Sequence, residues 1–248
     1  MIDPPVDSTE WLEDSNVNPK FIDSIILTHC HADHDAGTFQ KILEEGRITV
    51  YSTETVMQSF LRKYAALSGE SIEFLRRLFT FERISIGSPV FIHGGEFHFA
   101  YRLHSIPTVG FTLTYQHKSF VYSSDHQGDP GVHKTLLEEG VITQSRYDEL
   151  SSFPWGADLI YHEAGIPPLH TPVAWLNSLE PETQKKTTVY HIAKKDFPSE
   201  TDLSLATFGI ENTRYFETEE PSYESSYRVL DVLKHLDFFE SLPHSCPK

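Results

Sequence analysis

The stretch Thr28-His29-Cys30-His31-Ala32-Asp33-His34-Asp35-Ala36-Gly37 follows directly on the apolar run Ile25-Ile26-Leu27, and it constrains this chain more than any other feature. Three imidazoles and a carboxylate within six positions, His29 to His34, cannot all face one way on a regular helix or strand. The backbone must turn there and point them inward together, a convergence that suits a metal ion. The competing reading is a polar loop of solvated histidines; the partners further along the chain weigh against it.

Periodicity places the motif in an α/β context. A short buried strand is expected at Ser24 to Thr28, a helix over 36–45 ended by Gly46, and a second strand at Ile48 to Tyr51, which together make a βαβ beginning. Met57, Phe60, Leu61 and Tyr64, then Ile72, Leu75, Leu78 and Phe79, recur at helical spacing over 54–67 and 71–79. Residues 1–20 read as loop and turn, with Trp11 and Leu12 pinned on the domain. From Phe81 to Ser124 apolar and polar residues alternate between Gly and Pro, which predicts an antiparallel meander with strands at 81–86, 90–93, 96–104, 110–116 and 119–123. Helices at 131–139, 144–151 and 172–179 then alternate with strands at Ala157 to Tyr161 and Thr187 to His191. An acidic segment from 217 leads to a closing helix marked by Tyr223, Tyr227, Leu230, Leu233 and Phe238. The whole, 1–248, is expected to be one domain with a core over about 20–216.

Charge narrows the function. Lys and Arg total 20 against 36 Asp and Glu, a formal net charge of -16, with no basic block, so a nucleic-acid partner is disfavoured. A bound dication can still supply local positive potential inside an acidic protein. Cys30 and Cys246 are too far apart in sequence to form a disulfide framework, and a reducing, cytoplasmic setting fits. Cys30 itself reads as a packed thiol rather than a ligand. No apolar stretch approaches the length of a membrane span.

Four later places bring metal-type or proton-transfer side chains to strand ends, where sites on mixed αβ sheets gather. His104 ends the strand 96–104, Asp125 ends the following hairpin, His162 and Glu163 follow the strand at 157–161 with His170 beyond a Pro-Pro loop, and His191 ends the last strand. A lone histidine is more often a satisfied core or surface residue; four successive strand ends together favour function. His93, His98, His117, His126, His133, His235 and His244 lack that placement and read as structural. His98 would share a face with His104 if the strand between them ran unbroken.

The cluster His29-x-His31-x-Asp33-His34, then His104, Asp125 and His191, resembles the seven-ligand pattern of the metallo-β-lactamase superfamily over about residues 20–195. The resemblance implies an αββα sandwich with a dinuclear metal centre. His29, His31 and His104 would hold one ion, Asp33, His34 and His191 the other, and Asp125 would bridge them. Nitrogen and oxygen ligands suit zinc, with manganese or iron as alternatives. The run Ala157 to Ala164 with His170-Thr171 resembles the phosphodiesterase branch that includes tRNase Z and the cyclic-nucleotide phosphodiesterases. There a histidine at the position of His170 is expected to meet the phosphate; in this chain Glu163 is the candidate to orient it.

Only 21 positions separate His104 from Asp125, enough for one hairpin and too few for the tRNA-gripping arm of tRNase Z. The resemblance therefore points to a small phosphodiester, cAMP or cGMP, cleaved by a metal-bridging hydroxide; Asp33, His170 and Glu163 are the candidate catalytic residues. Two dications bring about +4, and Asp33, Asp125 and hydroxide about -3, which leaves about one positive charge for a phosphodiester monoanion. A tRNase Z-like endoribonuclease and a non-catalytic metal-binding scaffold are the alternatives. Family members carry about two strands before the position of Met1, so the first sheet is expected to lack its N-terminal strands. An unpaired edge there would favour a homodimer. Fusion to, or pairing with, a cyclic-nucleotide-binding module in a longer protein is also implied.

Overall fold

The computed structural model describes residues 1–207 and 209–215. The run Ile25-Ile26-Leu27 decides the layering, because neighbours in a strand point to opposite faces. Ile25 and Leu27 are fully buried with Val50, Met57, Phe60 and Leu61 on one side. Ile26 faces the other way and joins Phe97, Phe99, Phe111 and Tyr122. Each such side chain contributes about 1.5–3 kcal/mol by leaving water. A strand apolar on both faces must be covered on both, here by helices on one side and a second sheet on the other.

A short helix α1 (Ser8–Asp14) precedes β1 (Ser24–Ile26), α2 (Ala32–Glu45), β2 (Thr49–Ser52), α3 (Glu54–Ser68), the single turn α4 (Ile72–Leu75) and β3 (Thr80–Arg83). β1, β2 and β3 form a parallel sheet in that order. The antiparallel strands β4 (Val90–Ile92), β5 (Gly95–Tyr101), β6 (Val109–Tyr115) and β7 (Lys118–Tyr122) begin the second sheet. Helices α5 (Pro130–Glu138) and α6 (Gln144–Ser151) lead to β8 (Leu159–Glu163). The short helices α7 (Val173–Leu176) and α8 (Pro181–Lys185) lead on to β9 (Thr187–Tyr190) and β10 (Ser204–Leu205). β8, β9 and β10 add in parallel, giving seven strands in the order β10-β9-β8-β7-β6-β5-β4. Its outer face buries Val121, Phe153, Ala157 and Ile160, and further along Ala164, Leu176, Val189 and Leu203. The layers run helix, sheet, sheet, helix, the expected αββα arrangement.

Several local expectations need correction. The strand near residue 81 leaves the meander and pairs parallel to β2, because the βα unit before it returns the chain to the first sheet. The helix expected over 71–79 is only α4, and residues read as loop near the N-terminus include α1, where Trp11 stays 41% exposed. α2 starts at Ala32, inside the motif rather than after it. β5 ends at Tyr101, so His104 lies on a loop: Arg102 N–H donates to Thr108 O at 2.9 Å while Ser105, Ile106 and Pro107 loop out. His98 is exposed and paired with Glu96 at 2.7 Å. His162 and Glu163 are part of β8 rather than following it. The acidic segment and closing helix expected from 217 lie outside the described residues.

The outer edge of β1 carries the first residues of the chain. Ile26 N–H donates to Met1 O at 2.9 Å and Asp3 N–H to Ile26 O at 3.0 Å, which sets Asp3 beside Thr28. Pro4 and Pro5 then cross α2 at Gly37, where a Cβ would overlap both their carbonyl oxygens. On its other side α2 is tied to α3 by Asp35, buried and accepting from Lys63 Nζ at 2.7 and 2.8 Å and from Tyr64 OH at 3.0 Å. Lys63 also donates to Cys30 O at 3.2 Å, so the motif is braced from behind. Gly37→Ala is therefore expected to destabilise the fold by about 1–3 kcal/mol through overpacking. Thermal unfolding checks this; an unchanged melting temperature would contradict the close approach.

Candidate metal centre

The motif straddles the exit of β1 and the first turn of α2, which is how near-consecutive polar residues reach one point. His29, fully buried, meets Thr28 Oγ1 through Nδ1 at 3.1 Å and turns Nε2 toward Asp125 Oδ2 at 3.6 Å. His31 occupies the N-cap position of α2, with Asp33 in the first turn, where a carboxylate also suits the positive end of the helix dipole. His104 Nε2 lies 3.0 Å from His31 Nδ1 and 3.5 Å from Asp125 Oδ2. Asp125 leaves β7 after Ser124 (φ 54°), and His191 leaves β9 with φ 63°. These left-handed residues turn the chain sharply at both strand exits.

A second group gathers beside the first. Asp33 Oδ2 is 3.2 Å from His191 Nε2 and 3.6 Å from His34 Nε2, and His34 Nε2 is 3.2 Å from Asp125 Oδ1. The ligand atoms of His29, His31, His104 and Asp125 lie within 4.8 Å of one another, as do those of Asp33, His34 and His191. Asp125 joins the two groups, its Oδ2 standing 3.8 Å from His191 Nε2. All seven sequence-derived ligand candidates thus meet at one place.

The donor set fits divalent ions. His29 Nε2 and Asp125 Oδ1 are buried and, among the described residues, have no hydrogen-bond partner of good geometry. Spacings of 3.0–3.6 Å within the first group bracket the separation of about 3.3 Å between two ligands on one tetrahedral ion of zinc size. Burial holds His104 down at about 4 and lowers His31, so both rings are neutral near pH 7 and offer lone pairs. Burial would also lower His34, but the Asp125 and Asp3 carboxylates outweigh it and push this imidazole up to about 10. Asp33 is held well below the carboxylate range, first by His191. Burial favours the protonated form of Asp125, yet His29 and His34 hold it low as well. Such a site carries negative charge for a cation to balance.

His170 closes one side. Its ring stacks on His191 at 4.7 Å and lies 5.3 Å from His104. Nδ1 meets Glu163 Oε2 at 3.2 Å, while Glu163 Oε1 accepts from His126 N–H at 3.1 Å and Thr171 N–H at 3.0 Å. Burial raises the Glu163 carboxyl even though His170 opposes it. Gln127 Nε2 donates to Pro168 O and His170 O at 2.9 and 2.8 Å, pinning the loop that carries His170. His162 faces away: its ring stacks on Trp155 at 5.4 Å. Cys30 Sγ–H donates to Val56 O at 3.3 Å, and burial pushes the thiol up to about 12, which leaves it unreactive.

Asp3 stands directly behind His34, at a position that periodicity and spacing do not mark. It accepts from Thr28 N–H at 2.8 Å, Thr28 Oγ1 at 2.5 Å and Tyr122 OH at 3.2 Å, and faces His34 Nδ1 at 3.3 Å. A carboxylate behind a ligating imidazole fixes its tautomer and orientation.

The family model described as "Anti-Pycsar protein Apyc1" matches residues 1–215. The chain belongs to this family. It is 42% identical over 243 residues to the cGMP-dependent 3′,5′-cGMP phosphodiesterase A of Dictyostelium discoideum, covering 98% of this chain and 28% of that protein. It is 36% identical over 244 residues to the cAMP/cGMP-dependent 3′,5′-cAMP/cGMP phosphodiesterase B of the same organism, covering 98% and 22%. The chain thus spans about a quarter of the length of these relatives. A diphosphatase from the PhnP family aligns with a TM-score of 0.58 at 18% identity, over 84% of this chain and 77% of that one. The metallo-β-lactamase fold protein YhfI from Bacillus subtilis aligns at 0.54 and 14%, over 84% and 83%. The fold is that of the metallo-β-lactamase superfamily. For this family member Asp3→Asn is expected to weaken metal binding by about 10–100-fold. Titration against a competing chelator measures it, and an unchanged affinity would detach Asp3 from the centre.

Proposed function

We propose that this chain is the catalytic region of a divalent-metal phosphodiesterase acting on 3′,5′-cyclic nucleotides, cAMP or cGMP. The observation that carries the reading is His170, held by Glu163 and stacked on His191 at the rim of the two donor groups that share Asp125. The names of the two relatives at 42% and 36% identity supply the substrate class. His29, His31 and His104 would hold one ion and Asp33, His34 and His191 the second, with Asp125 between them. Nitrogen and oxygen donors at these spacings favour zinc, and the same set accepts manganese or iron.

When bound, divalent ions supply the Lewis acidity that makes water a nucleophile near neutral pH and neutralises phosphoryl oxygens. The chain's residues do the positioning. Glu163 accepts the Nδ1 proton of His170 and so commits the other ring nitrogen to the substrate; Gln127 fixes the backbone beneath. In its doubly protonated form, with a proton on the second ring nitrogen as well, His170 donates a hydrogen bond to the phosphoryl group as charge builds, or that proton to the leaving oxygen. Asp33 orients His191 and completes the second donor group. Between His104 and Asp125 the chain makes only the β6–β7 hairpin, which favours a small diester over tRNA. The relatives' names also carry a dependence on cGMP or cAMP, and pairing with a cyclic-nucleotide-binding module is part of the proposal.

Assaying the metal-loaded protein on cAMP, cGMP, cyclic pyrimidine nucleotides and a 3′-extended tRNA precursor tests the reading. Hydrolysis of cAMP or cGMP is expected. Cleavage of the precursor alone would make the chain a ribonuclease, and bound metal without turnover of any diester would make it a scaffold. His170→Ala should lower kcat by about 10²–10⁴-fold with metal content intact. Asp125→Ala should lose both metal and activity; full activity in the His170 variant removes that residue from the mechanism.

A further inference from the structure

A groove of about 710 Å³ lies along β5, β6 and α6, lined by His98, Tyr101, Arg102, Thr112, Arg146 and Glu149, and by none of the metal-cluster residues. A second of about 570 Å³ shares Tyr101, Arg102, Arg146 and Glu149 with it and reaches His104. Both are of a size that holds small organic ligands.

Arg102 lines both grooves, and among the described residues its guanidinium has no carboxylate and no hydrogen-bond acceptor. Its Nε is buried and unpartnered, and its packing contact is the Phe153 ring at 5.0 Å. The adjacent Glu149 is already engaged, accepting from Arg146 Nη1 at 2.9 Å, while both Nη atoms of Arg146 donate to Tyr101 O at 3.2 Å. The polar groups that act on Arg102 are Tyr190 and Arg146, neither of them an anion at neutral pH. Histidines complete the surroundings: the His126 ring stacks on Phe153 at 6.0 Å and lies 5.8 Å from that of His162. A Cβ at Gly110 would overlap Arg102 Nε as well as the carbonyl oxygens of Ser123 and Tyr122, so the guanidinium lies in space that the glycine leaves open. A buried guanidinium that faces no carboxylate among the described residues calls for an anion to balance it.

We infer that Arg102 is the floor of a second ligand site, distinct from the metal centre, that takes a small oxyanion, a phosphate ester or a carboxylate, with Arg146 at its lip. The planar guanidinium fork offers paired donors to two oxygens of either group. Tyr101, 38% exposed, adds an aromatic wall for the rest of the molecule.

Equilibrium dialysis of the metal-loaded chain against radiolabelled inorganic phosphate, and separately against radiolabelled acetate, tests this. Binding of either ion that is lost in Arg102→Met and retained in Asp125→Ala is the expected result. The ion that behaves this way identifies the site as one for phosphate or for carboxylate. Binding lost only in Asp125→Ala belongs to the metal centre, and if neither ion depends on Arg102 the inference is overturned. An Asp125→Ala variant that keeps its metal and its phosphodiesterase activity contradicts the proposed catalytic centre and leaves this site standing.

Thermal melting guards against a folding artefact. In buffer free of both ions Arg102→Met should melt no lower than the parent, because it removes an uncompensated buried charge while keeping an apolar stem. The binding ion should then raise the melting temperature of the parent alone. A variant that melts several degrees lower without the ion would make Arg102 a structural contact and overturn the assignment.

Discussion

Asp125 is 1% exposed and is approached by imidazole nitrogens of His29, His34, His104 and His191 at 3.6, 3.2, 3.5 and 3.8 Å. A carboxylate buried this deeply persists as an anion only when positive charge surrounds it. The rest of the site follows from that requirement. Its neighbours come from both sheets: His29 and His34 from the β1–α2 junction, His104 from the β5–β6 loop and His191 from the end of β9. They converge because Ile26 on one sheet and Phe97, Phe99 and Phe111 on the other lock the two inner faces together. Asp3 and Lys63 hold the motif from either side, one through Thr28 and His34 and the other through Asp35 and Cys30 O.

Residues whose chemistry is carried by local spacing were legible in the chain. His29, His31, Asp33 and His34 announce a turn because no regular element can aim them together, and Asp125 and His191 announce themselves by ending apolar runs. The apolar run Ile25 to Leu27 and the alternation in β5 to β7 likewise carried the βαβ beginning and the antiparallel meander, whereas the two-sheet sandwich came from the family resemblance. What stayed hidden depends on partners far apart in sequence. β3 alternates like a meander strand, and only its packing beside β2 places it in the first sheet. His104 looked like a strand end because Leu103 and His104 continue the pattern; the ladder in fact stops at Tyr101. Asp3 matters through contacts with Thr28, His34 and Tyr122, to which periodicity is blind.

The acidic composition and an anionic substrate are compatible because recognition is local. Thirty-six acidic side chains are spread along the sequence, whereas the site concentrates imidazoles around Asp33 and Asp125 and has His170 at its rim. With two dications bound, an anion that reaches the centre would meet net positive charge there. The same reasoning applies on the far side of the 102–108 loop, where Arg102 stands without a carboxylate among the described residues. Two features that oppose the overall charge of the chain therefore coincide with the two places where it has reason to hold an anion.

Anomalous diffraction from crystals of the metal-loaded chain tests the shared-carboxylate account most directly. It predicts two peaks on either side of Asp125, each about 2.0–2.2 Å from its nitrogen and oxygen ligands. One should sit among His29, His31 and His104 and the other among Asp33, His34 and His191. A single peak, or ions bound away from Asp125, would contradict it.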